Sequence, residues 1–432
     1  MRIFTALLLL HAIHAHAQYN GTYEYNNPAT LEISTSPKDQ QLYAIINGSK
    51  YLLRTCNRDT FLNNGNQQVI FHRLNNKITG YTVEGHTYRR INNIVTYQWQ
   101  ARKTSKYTYH IPADKQDGLT PGSLITSGLD TARIRTLITR IIDGTYPDVH
   151  SILLIKDGKL ILEEYFYNYT ENTPHQLRSA TKSFSSAMAG IAIQKGLIHS
   201  VQEKVLSFFP EYNITDSMKA AITLRDLMTQ QSGFACNDTD PNSPGNEVKI
   251  YPTDDWIKYI LSLPMTSTPG TTTSYCSGNT ILIDRIIEKA SGQSLSTFAK
   301  ENLFAPLGIT RFKWNFQPDK TQQDEFGQLY LRPRDMAKIG LLFLNKGNWR
   351  GKQLIPATFV QESFTKQSVV EDIDYGYTWW LEKLNNIPGI AAKGNGGQRL
   401  FIWPGLNMIA VITAGNYNQQ SPANKLLIEC IL

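Results

Sequence analysis

Cysteine is scarce in this chain: four residues in 432, at Cys56, Cys236, Cys276 and Cys430, with no C-x-x-C and no Cys/His spacing of a zinc site. Four is far too few for a disulfide scaffold, although single bridges remain open to an exported chain. Long apolar runs are missing beyond the N-terminus, where no segment offers about 18 consecutive apolar residues, so no transmembrane span is expected. Charge is thin: 43 Lys and Arg against 36 Asp and Glu leave +7, and the 22 Tyr and 17 Phe are not interleaved with basic clusters. That removes the footprint of nucleic-acid binding. Histidine is sparse too, nine residues in all, and there is no H-E-x-x-H helix, G-x-S-x-G elbow or Walker loop. No cofactor and no metal are expected. The loop holding Asp238, Asp240, Asn242 and Glu247 lacks the EF-hand order of a central Gly and a distal Glu.

What is present divides the chain into four parts. Met1 to Ala17 carries Arg2, an apolar run from Ile3 to Leu10 and the exit Ala15-His16-Ala17, the pattern of a secretory signal cleaved before Gln18. The protein is therefore expected to be exported, to the periplasm or the medium. Residues 18–100 are rich in Tyr, Ile, Val and Thr, with strand-like runs at Gln41–Ile46 and Gln68–His72 and a hairpin signal at Asn47-Gly48. They read as a small all-β domain. Residues 101–128, with Pro112, Gly118, Pro121, Gly122 and Gly128, read as a linker.

Residues 129–432 alternate helix and strand signals. Leu137, Ile138, Ile141 and Ile142 mark a helix. Ser151–Ile155, Asp157-Gly158 and Leu160–Leu162 predict one hairpin, and Leu400–Trp403, Pro404-Gly405 and Met408–Ile412 another. The spacing of Phe184, Ala187, Met188 and Ile191 predicts an amphipathic helix between them, and a last helix follows Pro422. The order fits an α+β fold: an antiparallel sheet built from both ends of this region, flanked by helices, with an inserted helical part.

Chemistry concentrates at Ser179-Ala180-Thr181-Lys182. Residues at i and i+3 share a helix face, a desolvated Lys can hold a lowered pKa and take the Ser proton, and a helix N-terminus favours an oxyanion. The tetrapeptide alone is weak evidence, because Ser363-Phe364-Thr365-Lys366 repeats it and a Ser at a helix start is usually a cap. The first copy has partners downstream. Tyr275-Cys276-Ser277 offers a hydroxyl that can relay a proton, and Lys393-Gly394-Asn395-Gly396-Gly397-Gln398 offers a Gly-rich edge strand with backbone N–H donors. His175, four residues before Ser179, reads as a loop or surface residue rather than a base.

These three elements resemble the serine β-lactamase and penicillin-binding-protein superfamily, most closely its class C, esterase and nylon-oligomer hydrolase branch. The resemblance extends from about Leu129 to Leu432 and includes Leu227–Gly233, Phe304–Ile309 and Pro333–Ala337. It implies Ser179 as the acylated nucleophile, Lys182 as its base or proton partner and Tyr275 as second relay. The N–H groups of Ser179 and Gln398 would form the oxyanion hole, with Ser277, Asn395, Gly396 and Gly397 lining the substrate. It also implies a Cys236–Cys276 disulfide bordering the cleft, with Cys56 and Cys430 unpaired. The β domain resembles, at low specificity, the lipocalin-like accessory domains of such hydrolases.

Two positions depart from the family pattern. Ser277 stands where Tyr-x-Asn is usual, and neutral Asn395 where a Lys or His is. The expected activity is hydrolysis of a small-molecule or peptidoglycan-derived ester or amide. The alternatives are a D-Ala-D-Ala carboxypeptidase or β-lactamase and, outside enzymes, a slowly deacylating penicillin-type sensor or a wall-binding protein.

Overall fold

The computed structural model describes residues 16–25, 30–46, 48–102, 106–314 and 328–431. The signal segment thus lies almost wholly outside the described residues. The Tyr-rich N-terminal region alternates buried and half-exposed residues, as a strand with one covered face must. Its eight strands are β1 (Gly21–Glu24), β2 (Thr30–Thr35), β3 (Leu42–Ile46), β4 (Ser49–Asn57), β5 (Thr60–Leu62), β6 (Gln68–Leu74), β7 (Lys77–Val83) and β8 (His86–Asn92). They close into an antiparallel barrel through β1 and β8. Ile46 pairs with Ser49 across the expected turn; Gly48 takes φ +77° there, and Asn47 is outside the described residues. The lumen is packed with rings: Tyr19 lies 5.2 Å from Phe61 and 4.7 Å from Phe71, joined by Tyr23 and Tyr81.

The second unit is organised on a nine-stranded sheet. Its first strands are β9 (Thr120–Pro121), β10 (Val149–Lys156) and β11 (Lys159–Tyr165). A small sheet follows from β12 (His175–Gln176), β13 (Phe312–Trp314) and β14 (Leu329–Leu331), and a ribbon from β15 (Asn348–Trp349) and β16 (Lys352–Gln353). The main sheet resumes with β17 (Ser368–Val370), β18 (Ile373–Tyr375), β19 (Trp380–Leu384), β20 (Ile387–Gly394), β21 (Gln398–Trp403) and β22 (Met408–Ala414). Its order is β17-β18-β19-β20-β21-β22-β10-β11-β9, so both expected hairpins are present and meet through β10 and β22, with Ile152 opposite Ile412. The Gly-rich segment does not lead into an edge strand: β21 is paired on both sides.

Helices cover both faces, which is why β10 is buried nearly throughout rather than alternating. Leu153 and Ile155 join the core with α2 (Thr181–Gln194), α3 (Ser277–Ser291) and α4 (Pro333–Leu344). Ile152 and Leu154 face α1 (Thr131–Ile142) and α5 (Ala423–Ile431). Asp130 starts α1 by accepting the N–H groups of Ala132 and Arg133 at 2.9 and 3.0 Å. Gly340 lets α4 approach the sheet, since a Cβ there would stand 2.8 Å from Leu400. Helix α2 departs from expectation. Thr181 to Ala192 are all buried, polar Ser183, Ser185 and Ser186 included, because the helix runs through the core rather than over it.

Residues 106–124 are fastened to the second unit. Gly122 N donates to Leu160 O at 2.9 Å, Tyr107 to Glu164 at 2.8 Å, and Asp117 receives Arg334 at 2.8 Å. The barrel also touches this unit, through Lys50 to Asp148 (3.0 Å) and Tyr97 to Asp148 (3.1 Å).

Candidate active site

The chain enters α2 through a tight turn, Arg178–Ala180, with Arg178 at φ +52°. A left-handed backbone at a non-glycine residue costs about 1 kcal/mol or more and persists where the surroundings impose it. Here they do: Gly394 lies so close that a Cβ would fall 2.1 Å from Leu177 O and 3.2 Å from Ala180 N. Ser179 is half-buried at this turn, and Lys182 follows on the first turn of α2.

Lys182 Nζ donates to Ser179 Oγ at 3.3 Å and to Ser277 Oγ at 2.9 Å, and stands 4.9 Å from the Tyr275 ring centre. The Tyr275 hydroxyl hydrogen-bonds with both Ser179 and Lys182. Ser179, Lys182, Tyr275 and Ser277 therefore converge from two separated segments. Thr378 anchors the helix by donating to Lys182 O at 3.0 Å and accepting Ser183 Oγ at 2.6 Å.

The segment carrying Tyr275 is held at many points. The Cys236–Cys276 disulfide is formed, with Cα atoms 5.5 Å apart, while Cys56 and Cys430 are free. Ser274 donates to Cys236 O at 2.6 Å, Asp238 N to Tyr275 O at 2.9 Å, and Cys276 N to Gln230 Oε1 at 3.0 Å. Tyr275 leans on Trp380, 5.7 Å between ring centres.

Electrostatics change one expectation. Burial works against the Lys182 ammonium, yet Tyr275, Asp238 and Glu247 outweigh it, so its pKa is raised rather than lowered. Burial raises the Tyr275 phenol while Lys182 pulls it back. Burial also raises the Asp238 carboxyl, against the attraction of Lys182. Glu247, which sequence reasoning weighed only as a calcium ligand, accepts the Ser277 hydroxyl at 2.9 Å. Asp238 accepts Ser277 N at 2.7 Å and Glu247 N at 3.0 Å. No sequence pattern signals that carboxylate pair, because only the fold brings it to Lys182.

The Gly-rich loop is arranged differently from expectation. Asn395 is exposed and exchanges hydrogen bonds with Asn418 (2.6 and 2.9 Å). Gly396 and Gly397, at φ +91° and +99°, make room for Tyr417 and for Ser421. The residue pressed against the Arg178–Ala180 turn is Gly394. Gln398 spans two strands through its amide, donating to Ala414 O at 2.6 Å and accepting Ala414 N at 3.1 Å. Lys393 is committed to Glu382 at 2.5 Å and Arg399 to Asn424 at 3.1 Å.

His175 corrects another expectation. It is buried on β12, its Nε2 2.8 Å from His150 Nδ1, and Tyr169 stacks on His150 at 3.8 Å.

The beta-lactamase family model matches residues 147–429. The chain belongs to the beta-lactamase family. A protein of Escherichia coli K12 named "Putative D-alanyl-D-alanine carboxypeptidase" is 26% identical over 48% of this chain and 52% of its own length. The chain spans about half the length of the curated relatives it matches first. Among solved structures, an octameric penicillin-binding protein homologue from Pyrococcus abyssi superposes with a TM-score of 0.55 at 18% identity, over 68% of this chain and 76% of that one. A family VIII carboxylesterase gives 0.55 at 16%, over 69% and 96%. The fold is thus that of β-lactamase-like serine hydrolases, a group with esterase and carboxypeptidase members.

Proposed function

We propose that the protein is an exported serine hydrolase that cleaves an ester or amide through an acyl-enzyme on Ser179. The observation that carries this reading is the meeting of Ser179 Oγ with Lys182 Nζ at 3.3 Å and with the Tyr275 hydroxyl, at the mouth of a buried helix. The Ser179 oxygen attacks the carbonyl carbon while its proton passes to the Lys182–Tyr275 pair. Tyr275 then returns a proton to the leaving group, and water repeats the sequence to release the acid. The backbone N–H groups of Ser179 and Gln398 receive the oxyanion, with the start of α2 adding its positive field.

The substrate class follows from charge. On this rim Asn395 is neutral, and Lys393 and Arg399 are already paired. A substrate carboxylate would lack a charge-assisted bond from this loop. Neutral short-chain esters or amides should therefore be turned over better than penicillins. The name of the Escherichia coli relative favours a second reading, a carboxypeptidase or β-lactamase acting on peptidoglycan-derived amides. Mass spectrometry after exposure to a fluorophosphonate, a penicillin and a p-nitrophenyl ester tests both. Modification at Ser179 with higher kcat/KM for p-nitrophenyl acetate supports the first reading, and a higher value for penicillin promotes the second. Export, to the periplasm or the medium, is tested by a mature N-terminus at Gln18.

A further inference from the structure

Lys182 is bound more closely to Ser277 than to the nucleophile, and the Ser277 hydroxyl does not end there. It accepts from Lys182 Nζ at 2.9 Å and donates to Glu247 Oε2 at 2.9 Å. Four groups therefore lie in series, Ser179 Oγ, Lys182 Nζ, Ser277 Oγ and Glu247 Oε2, with every link at hydrogen-bond distance; Lys182 Nζ donates to both serines, and Ser277 donates on to Glu247. An ammonium cannot accept the Ser179 proton unless it gives one up at the same time. Ser277 and Glu247 supply the way out.

We infer that Glu247, acting through Ser277, is a positioning residue that sets the charge of Lys182 and stores the proton displaced during acylation. The inference rests on the acyl-enzyme reading above. As Ser179 Oγ bonds to the carbonyl carbon, its proton moves to Lys182 Nζ, one Lys182 proton to Ser277 Oγ, and the Ser277 proton to Glu247 Oε2. Lys182 remains an ammonium, Ser277 regains its hydroxyl, and Glu247 becomes a neutral acid. The reverse shift brings the proton back to Lys182, which passes one to Tyr275 as the Tyr275 hydroxyl protonates the leaving group, so charge and protons balance over the cycle. Ser277 in place of the family's Asn then has a reason: a hydroxyl can accept and donate in one motion, whereas an amide cannot pass a proton this way.

The groups facing Glu247 are few. Ser277 reaches it directly from α3, and Lys182 on α2 through Ser277. Tyr251, one turn further along its own short helix, donates to Oε2 at 3.4 Å. Asp238 accepts its N–H, and Tyr275 stands beyond Lys182. Asp238 accepts the backbone N–H groups of Ser277 and Glu247 and also faces the Ser277 hydroxyl, so it stands beside the relay as a second carboxylate.

The test is the pH dependence of Ser179 acylation, followed as the p-nitrophenol burst in the full chain. In the wild type the Lys182 ammonium can pass a proton to Glu247 through Ser277, so the site is ready while Lys182 is charged. In Glu247→Gln the site becomes ready only when Lys182 loses that proton. Glu247→Gln should be slower by about 100-fold at neutral pH and recover as pH rises, its acid limb displaced to the alkaline side. Ser277→Ala should show the same displacement, and Ser277→Thr should keep the wild-type profile. A Glu247→Gln enzyme with the wild-type profile, or one slowed by the same factor at every pH, overturns the relay alone. If Glu247→Gln does not fold, the Ser277→Ala and Ser277→Thr pair decides, with equal profiles for the two overturning it. A wild-type protein that never acylates at Ser179 overturns the acyl-enzyme reading and the relay with it.

Discussion

Ser179–Lys182 and Ser363–Lys366 are the same four-residue pattern in opposite surroundings. The first opens a helix, so Ser and Lys lie on one face and Lys182 points into a buried network. The second closes a helix that ends at Ser363, so Lys366 falls beyond the last turn and the two side chains part. Ser363 is buried and donates to Phe359 O at 2.7 Å, a bond internal to its own helix. Lys366 is more than half exposed and pairs with Asp374 at 2.7 Å. Only the first copy has a helix beginning after its Ser and polar groups from other segments, Tyr275, Ser277 and Glu247, converging on its Lys.

The sharpest way to break this comparison is to exchange alanine between the copies. Ser179→Ala should abolish ester hydrolysis, and Lys182→Ala should lower kcat/KM by about a thousandfold or more. Ser363→Ala should leave kcat/KM unchanged, because no polar atom of that copy reaches the cleft. Full activity in Ser179→Ala would falsify the assignment of the nucleophile.

Next in size is the staple that only the first copy has. The disulfide joins positions 40 apart and fixes the segment that aims Tyr275. On the loop-entropy account such a bridge stabilises by about 4 kcal/mol. Cys236→Ser with Cys276→Ser should lower the denaturation midpoint accordingly and reduce kcat before it raises KM. Alkylation of either residue in native, unreduced protein would contradict the bridge.

Much of this frame was legible in the sequence, for identifiable reasons. Both hairpins announce themselves through Asp157-Gly158 and Pro404-Gly405 between apolar runs, and Asp130 before the Leu137–Ile142 pattern caps α1. Strands β17 to β20 were missed because they are short or covered on both faces and carry no clean alternation. The linker was read from Pro and Gly, which mark turns, but Tyr107, Asp117 and Gly122 bind partners far away in sequence. The raised pKa of Lys182 was illegible because it depends on carboxylates more than fifty residues distant, brought in by a loop of Asn and Asp turns.

A smaller effect tests the packing just upstream of Ser179. His175 is held down at about 4, from an ordinary 6.5, by burial, and His150 is depressed by burial and by His175. A base whose folded pKa lies below its unfolded value is protonated first in the unfolded chain. Its stabilising contribution is complete above about pH 6.5 and is lost as pH falls towards 4. The loss should be about 3 kcal/mol for His175 across that window. Comparing urea midpoints of wild type and His175→Gln isolates it: the wild type should fall more steeply on acidification. Parallel slopes would mean that the pair is not held neutral in the fold.

The smallest effect belongs to the second copy. Lys366 and Asp374 flank the β17–β18 hairpin, whose Val369 carbonyl accepts Thr273 at 2.7 Å and so touches the segment leading to Tyr275. If the pair braced that hairpin, the second S-x-x-K would act on the site indirectly and the contrast would weaken. Both side chains are about half exposed, however, where ordering entropy and screening offset most of the attraction. A double-mutant cycle of Lys366→Ala and Asp374→Ala should give a coupling no larger than about 0.5 kcal/mol, falling further with added salt. The hairpin keeps its register without the pair, since Ser368 donates to Thr229 O at 2.8 Å and Tyr375 packs 4.9 Å from Trp380. Ester hydrolysis should therefore be unchanged in both single variants. A coupling of several times that size, or a lower kcat in Lys366→Ala, would show that the second copy reaches the active site through this hairpin.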